Sequence, residues 1–337
     1  MAHPGVGDLT AAWATVSRHL RPTPLVRSRW AGASLKLESH QQTGAYKVRG
    51  ALVALRAQLA RGDRRTVVAA SAGNHAAGLA WAARALGLDA VAVVPEDAPA
   101  AKIARTRALG ARVLRHGDSF AAAFAHATVL ARTEGWRFLH PFDDPDVIAG
   151  QSTVGRELWG HAPDVVLVPV GGGGLAAGVA LAFAGTGTRV LGVRVRAHER
   201  MGSVADGVRV ARLGIRNAAV LDAHLDGMLH VSEAEVHAAM RALYHQDGLI
   251  VEGAGAVAVA GLRQAPGGRR VAVVSGGNVD PAVFGAVVGR TPRPARRADY
   301  PGRTQAPTLP ANSPAALAST WSKKGPSSGA MVSLASS

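Results

Sequence analysis

No cysteine occurs anywhere in the 337 residues, which removes disulfides, thiolate metal sites and cysteine nucleophiles together. Apolar runs of the roughly 20 residues needed to cross a bilayer are also missing. Met1-Ala2-His3-Pro4 has no basic flank leading into a hydrophobic stretch. A cytoplasmic protein without a membrane partner is therefore expected. Acid is in short supply: 23 Asp and Glu stand against 38 Lys and Arg, a formal charge of +15. Such an excess can mark a nucleic-acid binder. Here the basic residues are scattered, no aromatic-interleaved patch accompanies them, and from Arg290 onward seven of them face Asp299 alone. An attraction to anionic substrates accounts for the balance as well, and no nucleic-acid partner is expected.

What the chain has is apolar content, 48% of residues, enough for one large core or two smaller ones. Short β-branched or apolar runs alternate with helical periodicity. Thr66 to Ser71, Ala90 to Val94 and Ala111 to Leu114 read as strands; helices are expected after Ala72-Gly73-Asn74-His75, over Ala100 to Leu109 and over Ser119 to Thr133. Further on, Val147 to Trp159 reads as a helix, Asp164 to Val170 and Arg189 to Val195 as strands. Ser232 to His245 follows as a helix with a Ser232/Glu235 capping box, and Arg270 to Val274 as the last strand. Val251 to Leu262 is an Ala/Gly/Val run of undecided type. The expected fold class is α/β, with two lobes, each a mostly parallel twisted sheet covered by helices.

Two stretches carry candidate chemistry. Lys47 follows the polar turn Thr43-Gly44-Ala45 and opens an apolar-periodic run, so its amine sits in the first turn of a helix. The amide dipoles there oppose a cation, and poor hydration would lower its pKa further and free the amine as a nucleophile. A surface lysine on an amphipathic helix is the competing reading. The second stretch is Gly171-Gly172-Gly173-Gly174, where a strand ends and a helix opens, an arrangement that brings bare amides to a phosphate. No Lys-Ser or Lys-Thr follows, and Ala176 stands where a dinucleotide fingerprint has its last glycine, so a phosphate on a smaller cofactor fits better. Ser275-Gly276-Gly277-Asn278 is another glycine turn at a strand end, and such ends line the ligand crevice of open α/β sheets.

Leu35 to Ala51, Ala69 to Ala80, His140 to Asp144 with Val147 to Gln151, Val168 to Val179 and Ser275 to Asp280 resemble, in order, the signature blocks of the serine/threonine dehydratases. These are pyridoxal-phosphate enzymes of the tryptophan synthase β-like fold. The resemblance spans about residues 20 to 290. It implies that Lys47 holds pyridoxal 5′-phosphate as a Schiff base and shuttles the α-proton of an amino-acid substrate. It implies further that Gly171, Gly172, Gly173 and Gly174 bind the phosphate, Asn74 the ring hydroxyl, and that Ser275 faces the ring nitrogen. Ser71, Ala72, Gly73 and His75 would receive the substrate carboxylate, with Tyr46 and Glu252 as further candidates beside the cofactor. The implied domains are a large cofactor-binding domain, 1–65 with 140–290, and a small mobile domain, 66–139; a homodimer is implied as well.

The sequence departs from the family pattern at three places. Ala45 and Tyr46 replace the more usual Ser and Phe before the lysine, and Ala72 stands where racemases of the family carry a serine, which favours dehydration. Arg194 occupies a position where relatives often have a cation-binding Glu, and with Arg196 and Arg200 nearby no metal is expected. His140 and the pair Asp143-Asp144 read as a shaped loop, with a cap for the helix beginning near Asp146. Residues 291–337, rich in Pro, Ser, Ala, Gly and Arg, read as a disordered basic tail. The implied activity is elimination of water from L-threonine or L-serine to a 2-oxo acid and ammonia. The alternatives are another β-hydroxy amino acid, a racemase-like enzyme, or a binding protein without turnover.

Overall fold

A computed structural model describes residues 3 to 197, 199 and 203 to 289. The tail 291–337 and Arg200 therefore lie outside the described residues. Two sheets organise the rest. The first contains β1 (Leu25–Arg27), β2 (Ser34–Leu37), β7 (Val165–Pro169), β8 (Arg189–Val195), β9 (Gly227–Val231) and β10 (Arg270–Val274), in the spatial order β1-β2-β10-β7-β8-β9. The second has the order β5-β4-β3-β6 and is built from β3 (Val67–Ala70), β4 (Ala90–Val94), β5 (Arg112–Arg115) and β6 (Arg137–Phe138). Every pairing is parallel except that of β1 with β2. The α/β class with mostly parallel sheets is thus the fold found. Strands covered on both faces are apolar throughout, and β3, β4 and β7 are buried along their whole length.

The helices are α1 (Val6–His19), α2 (Lys47–Ala60), α3 (Asn74–Leu86), α4 (Ala100–Ala108), α5 (Phe120–Thr133), α6 (Pro145–Arg156), α7 (Gly174–Phe183), α8 (Ile215–His224), α9 (Glu233–Asp247), α10 (Gly253–Ala260) and α11 (Pro281–Val288). Ser119 caps α5, and Ser232 with Glu235 forms the expected capping box of α9. Two expectations shift. The helix expected from Val147 starts at Pro145, because Asp144 caps it and proline suits the first turn. The undecided run from Val251 contains α10, with all eight residues buried; a helix apolar all round has no amphipathic signature to read.

Two features aim this scaffold at one place. The C-terminal ends of β2, β3, β7 and β10 deliver Glu38, Ser71, the 171–174 glycines and Ser275. Helix α2 is then pulled close to α6 at a glycine pair: a Cβ on Gly150 would lie 2.6 Å from the Cα of Gly50. Beneath that contact sits a buried ionic cluster. Arg49 Nε and Nη2 donate to Glu38 at 2.7 and 2.8 Å, Arg49 Nη1 donates to Glu157 at 2.6 Å, and Lys36 Nζ reaches Glu157 at 2.5 Å. Thr23 and Thr153 supply further hydrogen bonds. Burial opposes the Arg49 cation, yet the facing carboxylates of Glu157 and Glu38 outweigh it and hold its pKa above the ordinary value. Two cations and two anions cancel, which makes the burial tolerable.

Candidate active site

Lys47 is the first residue of α2, and Tyr46 precedes it without a capping side chain. Its position is fixed from below by the end of β10: Ala45 bridges Gly276, and Tyr46 N–H donates to the Ser275 carbonyl at 3.1 Å. The Lys47 amine donates to the Pro141 carbonyl at 2.7 Å and lies 5.2 Å from the centre of the Tyr46 ring. Burial lowers its pKa from 10.5 to about 8, with Glu252 opposing the shift. Lys47 is half-buried and hydrogen-bonded inside the fold, which does not fit a solvated surface lysine. Burial, with a contribution from Glu252, pushes the Tyr46 phenol up, so it stays neutral.

A polar chain closes the other side. Asn74, at the start of α3, donates from Nδ2 to Glu252 Oε1 at 2.7 Å and accepts at Oδ1 from Asn278 Nδ2 at 2.6 Å; Asn278 also donates to the Thr43 carbonyl at 2.8 Å. Glu252 is raised to about 7 by burial first and by Asp206 second. It occupies the N-cap position of α10, so the Gly-Ala-Gly that follows opens a helix and is not a free turn. Arg105, from α4, donates to Thr43 O at 2.7 Å. Ser275 Oγ donates to Ala254 O at 3.2 Å, and Ser71 Oγ accepts from Gly73 N–H at 3.1 Å. His75 is buried, with Nε2 3.2 Å from Leu139 O, and burial followed by the nearby Lys47 pushes its pKa to about 3. With Glu252 N–H also donating to Gly276 O at 3.3 Å, Lys47, Tyr46, Ser275, Glu252 and Asn74 are joined into one cluster. Ser71, Ala72 and Gly73 form the loop between β3 and α3, directly before Asn74.

The four glycines connect to this cluster through residues 140 to 143. His140 Nδ1 accepts from the N–H groups of Phe142 and Asp143, which makes the turn that presents Pro141 O to Lys47. The Phe142 ring then packs on the glycine loop, where a Cβ on Gly172 would meet it at 2.5 Å. Gly173 has φ +95, the left-handed region that favours glycine. Among the described residues the loop's own hydrogen bonds run to its carbonyls; none is donated by the amides of residues 171 to 174. A phosphate at the N-terminus of α7 is what such amides suit. The two aspartates divide their work: Asp144 caps α6, as expected, whereas Asp143 accepts from the N–H groups of Ile215, Arg216 and Asn217 and caps α8 from a distance. The residues present fit pyridoxal phosphate: a half-buried amine of lowered pKa for the aldehyde and a bare-amide loop for the phosphate.

The sequence model for pyridoxal-phosphate dependent enzymes matches residues 16–277. The chain belongs to this family. The L-threonine ammonia-lyase of Thermotoga maritima is 40% identical over 279 residues, covering 76% of this chain and 69% of that protein. The catabolic L-threonine dehydratase TdcB of Escherichia coli is 38% identical over 271 residues, covering 73% and 82%. Among solved structures, the processed threonine deaminase isoform 2 of Solanum lycopersicum superposes with TM-score 0.79 at 32% identity, over 86% of this chain and 90% of that one. Like the rest of its family, the protein uses pyridoxal phosphate.

Several neighbours of the site escaped sequence reading. Asn278 lies in a recognised block, yet asparagine there reads as a turn residue. Asn217 and Arg105 sit on helices whose own patterns give no hint of the cleft. Arg194 donates from Nη2 to Val210 O at 3.1 Å, and among the described residues no group of three or more His, Asp or Glu could hold a metal. No described helix is long and apolar enough to cross a membrane.

Proposed function

We propose that this protein removes water from L-threonine, L-serine or both, releasing a 2-oxo acid and ammonia. The observation that carries the reading is the Lys47 amine, half-buried, hydrogen-bonded to Pro141 O at 2.7 Å and lowered to about 8 by burial. The activities for which the relatives are named, threonine ammonia-lyase and threonine dehydratase, support the same substrate class. When bound, pyridoxal 5′-phosphate supplies an electron sink that acidifies the α-carbon of the amino acid. The chain's residues do the rest. Lys47 Nζ would hold the cofactor and, once released by the incoming substrate amine, would be free to move the α-proton, a task suited to a group whose pKa lies near the working pH. The amides of Gly171 to Gly174 bind the phosphate at the head of α7. Asn74, its amide oriented at both ends by Glu252 and Asn278, hydrogen-bonds the ring hydroxyl. Ser275 would face the ring nitrogen with a neutral hydroxyl, which stabilises a charged ring less than a carboxylate would. Ser71, Ala72, Gly73 and the start of α3 receive the substrate carboxylate, and buried His75 braces that loop from behind. Ala72 offers no proton to the opposite face of the α-carbon, which supports elimination over racemisation.

In this reading residues 66–139 form a small domain that moves over the cleft, 1–65 with 140–290 form the large domain, and the enzyme works as a cytoplasmic homodimer without nucleic acid. The test is a screen of amino acids for 2-oxo acid release by the cofactor-loaded protein. Threonine or serine is expected to yield product, and Lys47→Ala is expected to lose both turnover and the visible absorbance band. No 2-oxo acid from either substrate would reject the proposal.

A further inference from the structure

Asn217 is the third residue of α8 and is fully buried behind the glycine loop. Its Nδ2 donates twice, to Gly172 O at 2.8 Å and to Phe142 O at 3.0 Å. Gly214 N–H donates to the same Gly172 carbonyl at 3.0 Å. The peptide bond is planar and trans, so its C=O and N–H point in opposite directions. With the Gly172 carbonyl drawn toward α8 by two donors, the Gly173 N–H is turned away from α8 and toward the mouth of the loop. The other carbonyl held by Asn217 belongs to Phe142, one residue after Pro141, whose carbonyl receives the Lys47 amine. A single side-chain amide therefore ties the segment facing the amine to the segment facing the phosphate.

The burial of Asn217 is not what stability alone would select. Its Oδ1 is buried with no hydrogen-bond partner among the described residues. An apolar side chain would avoid that unpaired acceptor, so the residue's value lies in its two donated bonds. Its place is also held deliberately: Asp143 accepts from Asn217 N–H at 3.2 Å while fixing the first turn of α8.

We infer that Asn217 is a positioning residue for the cofactor phosphate, orienting the Gly172-Gly173 peptide so that its N–H points into the cradle and keeping that cradle in register with Lys47. The inference rests on the reading of residues 171 to 174 as the phosphate site. It is tested by titrating the apo-protein with pyridoxal 5′-phosphate and, separately, with pyridoxal, which keeps the aldehyde and lacks the phosphate. Binding is followed by the visible band. The wild type is expected to bind the phosphorylated form far more tightly; equal affinity for the two would sink the phosphate-site reading itself. Asn217→Ala is expected to weaken pyridoxal 5′-phosphate by about tenfold, about 1.4 kcal/mol, and to leave pyridoxal within about twofold. A wild-type preference that survives the substitution, or a parallel loss for both ligands, overturns the role of Asn217. If the alanine variant lacks the wild-type far-UV circular dichroism, Asn217→Thr, which keeps one hydroxyl donor, is measured in its place. The same selective loss, at least about threefold, is then required, and its absence counts against the inference.

Discussion

Replacing Lys47 with methionine should make the cofactor-free protein more stable at neutral pH. The lysine titrates at 10.5 when unfolded and at about 8 when folded, chiefly because of burial. Between those values the unfolded chain binds more protons, so the wild type gains stability as pH rises from about 8 toward 10.5. Below pH 8 the full penalty applies. At about 1.36 kcal/mol per pKa unit it comes to about 3 kcal/mol. Methionine has a similar length and no charge, but it forfeits the bond to Pro141 O, a loss of about 1 to 2 kcal/mol. The expected net gain is about 1 to 2 kcal/mol at pH 7, read as a higher urea midpoint for apo Lys47→Met than for apo wild type. By pH 9.5 the advantage should shrink by about 2 kcal/mol, because the wild-type penalty is by then largely relieved. A variant less stable than wild type at pH 7, or a difference that does not move with pH, would refute the reasoning. A gain would mark Lys47 as a residue kept for chemistry at the expense of the fold.

Glu252→Gln should act on the acid side. Its folded pKa of about 7 exceeds the ordinary 4.5, so the native state is stabilised by the proton at low pH and loses that stability as pH climbs through 7. The variant's stability relative to wild type should rise by about 2 kcal/mol between pH 5 and 8 in paired denaturant melts. Arg49→Leu leaves Glu38 and Glu157 buried without their main cation and should cost about 3 to 5 kcal/mol in thermal or urea unfolding. Asp143→Ala removes the acceptor for three amides of α8 and should cost about 1 to 2 kcal/mol, with lower cofactor affinity as a second readout. Gly172→Ala sets a methyl against the Phe142 ring and is expected to raise the Kd for the phosphorylated cofactor more than for pyridoxal.

The parts of this molecule that were legible in the sequence are those whose cause is local. Arg189–Val195 and Arg270–Val274 are apolar-rich segments bounded by turn residues, and their observed limits are those read from the sequence. Lys47 and the four glycines stood out because a helix opening and a strand ending each have a chemical signature. Helix α8 did not stand out, since Gly214 precedes it and its capping carboxylate comes from Asp143, 72 residues from Ile215. The short edge strand β1 is three residues long, and its partner's register decides it. Helix α1 does carry a local signal, Leu9, Ala12 and Val16 at helical spacing on one buried face. Lys36, Glu38, Arg49 and Glu157 carry no local mark of the buried cluster they form, because nothing in a charge's identity says it will be buried opposite another. Within the site, the contacts that orient Asn74 come from residues 178 and 204 positions away, and no local pattern encodes them.

The bridge between Ala45 and Gly276 has a further consequence for how the protein comes into being. Strand β10 lies between β2 and β7 in the middle of the larger sheet, so the early strand and the late one are neighbours only once nearly all of this region has been made. Loop closure over such a separation is slow, and contacts of this range form late. The turn that aims the lysine therefore stays unbraced while the chain is still leaving the ribosome. A nascent chain stopped short of β10 would carry Lys47 without the bridge that aims it.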